Sequence, residues 1–285
     1  MSKVFLVTGS SRGLGRSIAE AVLAAGHRLV ATARKPEQLA DLVEQYGDQV
    51  RAVALDVTDI AAAEAAVKTA VGAFGRLDVV VNNAGYANLA SVEDITAQDF
   101  REQLDTNLLG VVNVTKAALP VLRGQGSGYF IQVSSVGGRS VAPGLSAYQA
   151  AKWAVGGFSE VLAREVNPLG LKVTVLEPGG MSTDWAGSSM IVRPISAPYE
   201  QTVGVLRKHL GGLVASDPAK VAEVVLQLVE LDEVPVRLLL GGDAAVVAEA
   251  YEKARAESDA KWSYLTKSTN HANVSETALD PNSFL

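Results

Sequence analysis

The segment SAYQAAK, residues 146–152, contains a tyrosine and a lysine four residues apart. Residues with this spacing lie on one face of a helix, so the Lys152 ammonium can sit beside the Tyr148 phenol. An ammonium about 4 Å from a phenolate is worth roughly 4 kcal/mol at an effective dielectric of ~20. It would lower the pKa of the phenol by up to about three units from ~10, before desolvation reduces the effect, and so provide a proton donor near neutral pH. The spacing also fits an amphipathic tyrosine beside a solvated lysine.

The same segment predicts how its helix begins. Ser146 and Gln149 resemble a capping box, with Ser146 as the N-cap and Gln149 at the third position. Tyr148 would then lie in the first turn, where the helix dipole mildly favours an anion.

Further polar side chains could assist such a donor. Ser134 and Ser135 end the apolar run YFIQVSS. At the carboxyl edge of a parallel sheet, a hydroxyl can donate a hydrogen bond to an oxygen on which negative charge develops. Asn107 lies in an otherwise apolar helical run, where it either satisfies buried backbone groups or holds a water for proton relay. Asn113 is a weaker candidate for these roles.

A glycine-rich turn, TGSSRGLG, follows the first apolar run and opens the first helical pattern. Glycine lets backbone N–H groups approach a pyrophosphate, and a helix N-terminus adds partial positive charge. The spacing is not the common GxGxxG fingerprint, so the predicted dinucleotide site depends on this context, and a plain tight turn is the alternative. The predicted cofactor residues in the turn are Thr8, Gly9, Ser11, Arg12, Gly13, Leu14 and Gly15.

The end of the second apolar run indicates which dinucleotide is bound. An acidic side chain at this point would hydrogen-bond the ribose of NAD, whereas an arginine receives a 2′-phosphate. Ala33 stands where the acid is expected, and Arg34 follows it. Together with Arg12, Arg34 could bind one phosphate dianion, so NADP(H) is favoured and NAD(H) remains possible. The alternative is that both arginines are solvated surface residues.

The elements that must position these residues alternate between short apolar strands and longer helical patterns up to about residue 180. Strands that are apolar without alternation, each followed by a helix, indicate a parallel sheet covered on both faces. We therefore expect an α/β, doubly wound, Rossmann-type fold. One long helix is expected from about Gln98 to Leu122. A loop follows residue 180, then two helical patterns, the strand VRLLLGG, a further helix and a polar tail.

Composition excludes several classes of protein. The chain has 285 residues, 48% of them hydrophobic, and a net charge of -6 that offers no basic surface for nucleic acid or anionic membranes. No apolar run approaches the roughly 18 residues of a spanning helix, so we expect a cytoplasmic protein. The absence of cysteine and the wide separation of the three histidines predict no metal site.

Six elements of the sequence, in the same order and at similar intervals, resemble those of the short-chain dehydrogenase/reductase family. They are TGSSRGLG, NNAG at residues 82–85, Asn107, Ser135, YQAAK and PGGMST at residues 178–183. The family interval of thirteen residues before Tyr148 selects Ser135 rather than Ser134. The resemblance implies one domain with a seven-stranded parallel sheet. It also implies Tyr148 as general acid/base, Ser135 as the donor that polarises a carbonyl, and Lys152 and Asn107 as the remaining members of a catalytic tetrad.

The resemblance further implies a set of cofactor contacts outside the glycine-rich turn. Asp56 and Val57 would flank the adenine, and residues 83–85 would line the cofactor. The turn after residue 177 would hold the nicotinamide end, and Lys152 would reach the ribose. The implied residues are Asp56, Val57, Asn83, Ala84, Gly85, Tyr148, Lys152, Pro178, Gly179, Met181 and Thr183.

We expect residues 1–285 to form a single dinucleotide-binding and catalytic domain. Residues 181–215 are the predicted substrate-loop region, and 243–285 a C-terminal extension that could cover one of the family's assembly surfaces. A homodimer or monomer is therefore expected rather than a tetramer. Four side chains of the loop could form an apolar lid over a bulky carbonyl substrate, or could simply pack the loop: Trp185, Met190, Ile191 and Tyr199. Further wall candidates are residues 86–89 and 136–139, and the candidate anchors for a substrate carboxylate are Arg139 and Arg193.

Three functions fit these residues. The first is an NADP(H)-dependent oxidoreductase, a carbonyl reductase that interconverts a ketone or aldehyde with an alcohol by hydride transfer. The second is an NAD(H)-dependent alcohol dehydrogenase of the same fold. The third is a dinucleotide-sensing or scaffold protein without turnover, which would be free to lose Ser135, Tyr148 or Lys152, although all three are present.

Overall fold

The computed structural model describes residues 2–183, 185, 190–212 and 215–284. Its strands are β1 (Val4–Val7), β2 (Arg28–Ala33), β3 (Val50–Ala54), β4 (Val79–Asn82), β5 (Ala87–Leu89), β6 (Gly128–Val133), β7 (Leu171–Pro178), β8 (Met190–Val192) and β9 (Arg237–Leu240). Its helices are α1 (Gly13–Ala24), α2 (Ala40–Tyr46), α3 (Ile60–Phe74), α4 (Ala97–Leu104), α5 (Gly110–Gln125), α6 (Ser146–Val166), α7 (Val205–His209), α8 (Pro218–Leu228), α9 (Gly242–Lys261), α10 (Ser263–Ser268) and α11 (Glu276–Leu279).

Seven parallel strands form the central sheet, in the order β3-β2-β1-β4-β6-β7-β9. Because successive side chains of a strand point to opposite faces, β1 supplies both halves of the core. Phe5 belongs to the layer shared with α1, α2 and α8, whereas Leu6 belongs to the layer under α3, α5 and α6. Helices thus cover both faces, which confirms the predicted doubly wound α/β fold.

The order of the strands explains where the site lies. The chain runs from β1 outward to β3 and then returns to β4 on the other side of β1. In an open parallel sheet, a crevice forms at the carboxyl ends of the strands where the direction of winding reverses. The turn after β1 and the NNAG segment after β4 meet at this crevice.

Two regions differ from the sequence-based expectation. The predicted long helix around Asn107 is interrupted by a π-helical turn, Asp105–Leu109, between α4 and α5. The loop after residue 180 contains β8, which pairs in parallel with β5 in a separate two-stranded sheet. The polar tail carries the short helices α10 and α11. In the part of the chain that the structure describes, no helix combines the length and apolarity needed to cross a bilayer.

Candidate active site

The turn between β1 and α1 has the backbone shape of an anion cradle. Gly9 and Gly13 have φ values of +69° and +55°, in the left-handed region that favours glycine. A Cβ on Gly15 would collide with the carbonyl oxygen of Gly9 and with the amide of Asn83. The first N–H groups of α1, at Gly13, Leu14 and Gly15, lack intrahelical partners by position and so can receive an anion.

Thr8 ties this turn to the NNAG segment. Its hydroxyl accepts hydrogen bonds from the backbone N–H groups of Asn83, at 2.9 Å, and Ala84, at 3.0 Å. The Asn83 amide in turn donates to the Thr8 carbonyl at 2.9 Å. Of the other residues predicted in the turn, Ser11 is half-buried and Leu14 belongs to the core. The structure therefore brings the two predicted cofactor segments together.

Arg12 and Arg34 are both exposed, at the start of α1 and just after β2. Within the described residues, neither guanidinium forms an ion pair or a hydrogen bond. Asp56 lies nearby, and hydrogen bonds from Thr58, with a smaller contribution from the Arg34 charge, lower the pKa of its carboxyl. Val57 is buried beside Gly110, and the Asn113 amide donates to the Val57 carbonyl at 3.0 Å. Asn113 thus holds the loop of Asp56 and Val57 that is predicted to flank the adenine.

Ser135, Tyr148 and Lys152 come together where β6 ends and α6 begins. Tyr148 is 7% exposed and Lys152 is 4% exposed. The Lys152 ammonium lies 5.7 Å from the centre of the Tyr148 ring and donates to the Val133 carbonyl at 2.8 Å. The Ser135 hydroxyl adjoins the Tyr148 phenol, whereas the Ser134 hydroxyl donates to the backbone carbonyl of Lys152 at 3.0 Å. The Ser135 hydroxyl also accepts from the Gly137 N–H at 3.0 Å and donates to the Pro178 carbonyl at 3.5 Å. Both serines therefore bond to backbone groups, but only Ser135 lies beside the phenol.

Burial disfavours the charged forms of both Tyr148 and Lys152. Burial raises the pKa of Tyr148 to about 12, and the hydrogen bond with Ser135 opposes this shift. Burial also lowers the pKa of Lys152 to about 8. Burial thus acts against the acidic phenol that the sequence predicts, because desolvation in the apolar surroundings disfavours the charged forms of both side chains.

Lys152 should make the stability of the ligand-free protein rise with pH. Its pKa of about 8 in the folded state lies below the ordinary value of 10.5, so between these values the unfolded chain holds a proton that the folded chain has released. The contribution of Lys152 to the free energy of unfolding is lowest below about pH 8 and increases by roughly 3 kcal/mol as the pH rises to about 10.5. Urea unfolding at about pH 7 and about pH 10 should show wild type gaining stability relative to Lys152→Met. A matched replacement of the exposed Lys220 should show no such gain; a pH-independent difference for Lys152→Met would contradict the prediction.

Asn107 lies in the π-helical turn and is fully buried. Its side-chain oxygen accepts from the Tyr86 N–H at 3.1 Å, and its amide donates to the Tyr86 carbonyl at 2.9 Å and to Gln103 at 3.1 Å. A Cβ on Gly85 would collide with the Asn107 oxygen and would lie 3.7 Å from the Lys152 ammonium. Asn107 therefore satisfies the buried backbone after NNAG and stands next to Lys152.

The helix that carries Tyr148 does not begin with a capping box. Leu145 is the N-cap residue, and the Ser146 hydroxyl has no hydrogen-bond partner within the described residues. The Gln149 side chain accepts from the Ala142 N–H at 2.8 Å rather than reaching back to the helix N-terminus. This prediction was wrong because a contact with the preceding loop competes successfully with the local motif.

The turn after β7 lies over the glycine-rich turn. The Thr183 Cβ would lie 3.7 Å from a Cβ on Gly13. Met181 packs against the core, and the N–H of Gly179 donates to the Leu240 carbonyl at 3.0 Å. The predicted nicotinamide segment is thus adjacent to the predicted pyrophosphate segment, and the neighbouring Asp184 and residues 186–189 lie outside the described residues.

An apolar cluster covers Tyr148 on its other side. The ring of Trp185 lies 5.1 Å from the ring of Tyr148, centre to centre. Of the proposed lid residues, Ile191 is exposed, whereas the other three belong to the cluster. The cluster consists of Ala87, Leu89, Ala142, Leu145, Tyr148, Trp185, Met190, Ile195, Tyr199, Val203, Leu206 and Leu210.

Neither predicted anchor for a substrate carboxylate is available for that purpose. The Arg193 guanidinium binds Asp99 through two hydrogen bonds, at 2.6 and 2.9 Å. Arg139 pairs with the buried Glu177 at 2.6 Å and with Glu252 at 2.9 Å. Glu177 was missed at the sequence level, although a charged residue in the otherwise apolar run LKVTVLEPG was a usable signal.

The fold and the site define a class of enzyme that combines a dinucleotide cradle with a serine, tyrosine and lysine at the carboxyl edge of a parallel sheet. The family model described as short chain dehydrogenase matches residues 3–190. The chain belongs to the short-chain dehydrogenase family, whose members are oxidoreductases that bind NAD(P).

Individual relatives extend the match beyond residue 190. The oxidoreductase BOA17 of Botryotinia fuckeliana is 56% identical over 271 residues, which cover 93% of this chain and 98% of the relative. A short-chain dehydrogenase from Streptomyces avermitilis has a similar structure, with a TM-score of 0.89 at 36% identity, over 94% of this chain and 98% of that one. An alcohol dehydrogenase from Thermococcus sibiricus, solved in complex with 5-hydroxy-NADP, aligns with a TM-score of 0.70 at 29% identity, over 85% and 97% of the two chains.

Proposed function

We propose that this chain is a single-domain, NADP(H)-dependent carbonyl reductase that interconverts a ketone or aldehyde with an alcohol. The observation that carries the proposal is the position of Ser135, Tyr148 and Lys152. They adjoin one another at the carboxyl edge of the sheet, where the turns after β1, β4 and β7 converge. A non-catalytic scaffold gains nothing from burying a lysine and a tyrosine together at this edge, because burial disfavours the charged form of each.

The residues present fit a dinucleotide. Gly9, Gly13 and Gly15 leave room where any Cβ would either force a strained φ or fill the cradle. The exposed N-terminus of α1 suits a pyrophosphate. Thr183 closes the other side of the cradle. The contact implied for Lys152 with the ribose requires its ammonium to exchange or share its present bond to the Val133 carbonyl.

Each catalytic side chain has a task in this chemistry. When bound, the cofactor would supply the hydride during reduction and accept it during oxidation. The Tyr148 hydroxyl gives its proton to the carbonyl oxygen during reduction and takes it back during oxidation. The Ser135 hydroxyl donates to the same oxygen as negative charge develops there. Lys152 holds positive charge next to Tyr148 and favours its phenolate, and Asn107 keeps the Tyr86 backbone and Gly85 in place beside Lys152.

The substrate we propose is a neutral, bulky or apolar carbonyl compound. Tyr148 faces a wall that includes Trp185, Leu145 and Met190. An apolar wall favours apolar substrate surface, since each buried CH₂ contributes about 0.8 kcal/mol. Arg139 and Arg193 already bind carboxylates of the protein, so a substrate carboxylate would have to displace Glu177 or Asp99.

Arg34→Ala should weaken NADPH selectively. Arg34 is exposed after β2 and carries no ion pair within the described residues, so its guanidinium can bind a 2′-phosphate through charge-assisted hydrogen bonds worth about 1.5–3 kcal/mol. We expect kcat/KM for NADPH to fall by about 10- to 100-fold and that for NADH to change by less than about threefold. The control is Arg164→Ala, which removes an exposed charge at the far end of α6. Equal losses with both cofactors would contradict the NADP preference and favour the NAD(H)-dependent alternative.

The reaction class is tested by assaying a panel of ketones, aldehydes and alcohols with both cofactors, following nicotinamide absorbance. Turnover of neutral apolar carbonyl compounds with NADPH is the expected result. Cofactor binding without turnover of any compound would favour the sensing or scaffold alternative.

We also propose that the chain is a monomer or homodimer, since α9 follows β9 directly and occupies space beside the edge strand. Light scattering that showed a stable tetramer would reject this assembly.

A further inference from the structure

The N-terminus of α9 meets the turn that follows β7. Strands β7 and β9 are paired so that Pro178 lies opposite Leu240, and α9 begins two residues later. The Asp243 carboxylate accepts a hydrogen bond from the Gly180 N–H at 2.8 Å. A Cβ on Gly179 would collide with the same carboxylate. An acidic residue in the first turn of a helix is favoured by the helix dipole, so Asp243 is held there with its charge directed at the turn.

The middle of α9 meets the segment between Ser135 and Tyr148. The Tyr251 hydroxyl donates to the Val141 carbonyl at 2.7 Å, across 110 residues of sequence. One residue later, Glu252 pairs with Arg139 at 2.9 Å. Arg255, one turn further on, lies over the ring of Trp153 at 4.8 Å, and Trp153 directly follows Lys152 in α6.

Polar contacts, rather than apolar burial, make up most of the interactions between α9 and the rest of the described chain. Only Ala244 and Ala248 of its 20 residues are buried. Apolar side chains such as Val246 are exposed, so the helix adds little apolar burial to the core. Its polar contacts converge instead on two loops of the site: the turn at residues 179–180 and the segment 139–141. A cleft of about 270 Å³ lies between α9 and α6 and is lined by Arg139, Tyr251 and Glu252, so the two helices are not closely packed at the second contact.

We propose that α9 is a positioning helix of the active site, in which Asp243 fixes the nicotinamide-side turn and Tyr251 fixes the segment that leads into Tyr148. The inference rests on the proposed function, because it assigns the two loops to the cofactor and to the proton donor. It predicts that the two residues affect different steps. Asp243 governs cofactor affinity, whereas Tyr251 governs the chemical step at saturating cofactor.

The first test replaces Asp243. In Asp243→Ala the Gly180 N–H loses a charged acceptor, and we expect the dissociation constant for NADPH, measured by fluorescence titration, to rise about tenfold or more. Asp243→Asn keeps an acceptor for Gly180. Its amide can also donate towards Ser216, because the second carboxylate oxygen and the Ser216 hydroxyl both lie within 2.5 Å of where a Cβ on Gly241 would stand, and neither has a partner among the described residues. Affinity in this variant should therefore stay within about threefold of wild type.

The second test replaces Tyr251 with phenylalanine. This removes only a hydroxyl from a ring that is 37% exposed, so the variant folds even if Asp243→Ala does not. The expected result is a fall in kcat of about fivefold with the NADPH dissociation constant unchanged, since a small misplacement of a catalytic group slows the chemical step. The control is Glu249→Ala, an exposed residue of α9 without a hydrogen bond or ion pair in the described chain, which should match wild type in both quantities.

The outcomes separate this role from a merely structural one. A structural role would lower the melting temperature while leaving affinity and kcat per folded molecule unchanged, and that result in both variants would overturn the inference. Wild-type protein that binds no NADPH would overturn the proposed function itself, a result read without any variant. An Asp243→Asn variant as weak as Asp243→Ala would also count against the hydrogen bond to Gly180 as the cause.

Discussion

Tyr148→Phe is expected to lower kcat by about a thousandfold while leaving the affinity for NADPH within about twofold of wild type. The substitution removes a hydroxyl that adjoins Ser135 and belongs to the same helix face as Lys152. The ring is buried against Trp185, so phenylalanine fills the same space and keeps the apolar wall. Steady-state rates with NADPH and a ketone found in the substrate panel, together with a fluorescence titration of NADPH, measure both quantities.

Tyr129→Phe is the matched control for this change. Tyr129 is also a buried tyrosine, with its pKa raised to about 12 by burial, and its hydroxyl bonds to Thr174 at 2.6 Å. It lies near the start of β6, at the opposite edge of the sheet from the cradle. Loss of its hydroxyl should cost stability but leave kcat per folded molecule unchanged. If Tyr148→Phe retained more than about a tenth of wild-type kcat, the assignment of Tyr148 as proton donor would be refuted.

The pKa of Tyr148 gives this prediction a further consequence. A phenol whose pKa is about 12 is a poor base near neutral pH, yet the proposed oxidation of an alcohol requires a phenolate. The Lys152 charge does not offset the rise in the pKa of Tyr148, because burial disfavours the charged form of the lysine as well. The sequence could not show this, since spacing reports that two groups are near each other but not how much water they lose.

The residues that the sequence located well are those whose roles depend on neighbours along the chain. The glycines of TGSSRGLG adopt the left-handed backbone that such a turn requires, and the parallel sheet follows from apolar runs alternating with helical ones. Arg12 and Arg34 are exposed, which fits both a phosphate-binding role and a solvated surface position. In each case the determining interaction acts over a few residues, so the local pattern carries the information.

The features that the sequence did not locate depend on distant contacts. The contact of Asp243 with Gly180 spans 63 residues and that of Tyr251 with Val141 spans 110. Likewise, β5 and β8 are too short to show a period and exist because they pair with each other. Ser146 shows the reverse: a correct local motif was overridden when Gln149 bonded to Ala142 instead. Contacts with distant residues decide which of several locally possible hydrogen bonds forms, and a single sequence does not show which of these hydrogen bonds is the most stable.

Glu177 is another residue whose role depends on distant contacts, and its replacement has the largest expected effect on stability. Its carboxylate is fully buried at the end of β7 and binds Arg139 on one oxygen and Arg237 on the other. Arg237 continues to Glu160 of α6 at 2.8 Å, and Arg139 continues to Glu252 of α9. One buried anion thus joins β7, β9 and the segment after Ser135, close to the turn that follows Pro178.

Glu177→Gln should lower the free energy of unfolding by about 4 kcal/mol, because it leaves two guanidiniums facing each other without the anion between them. Equilibrium urea unfolding measures the change. An unaltered m-value would indicate that the same amount of surface becomes exposed on unfolding. Glu160→Gln is the control: it removes the outer, half-exposed partner of Arg237 and should cost less than about 1 kcal/mol. Similar losses in the two variants would mean that the buried anion matters no more than a surface ion pair, and that the order of the segment after Ser135 has another source.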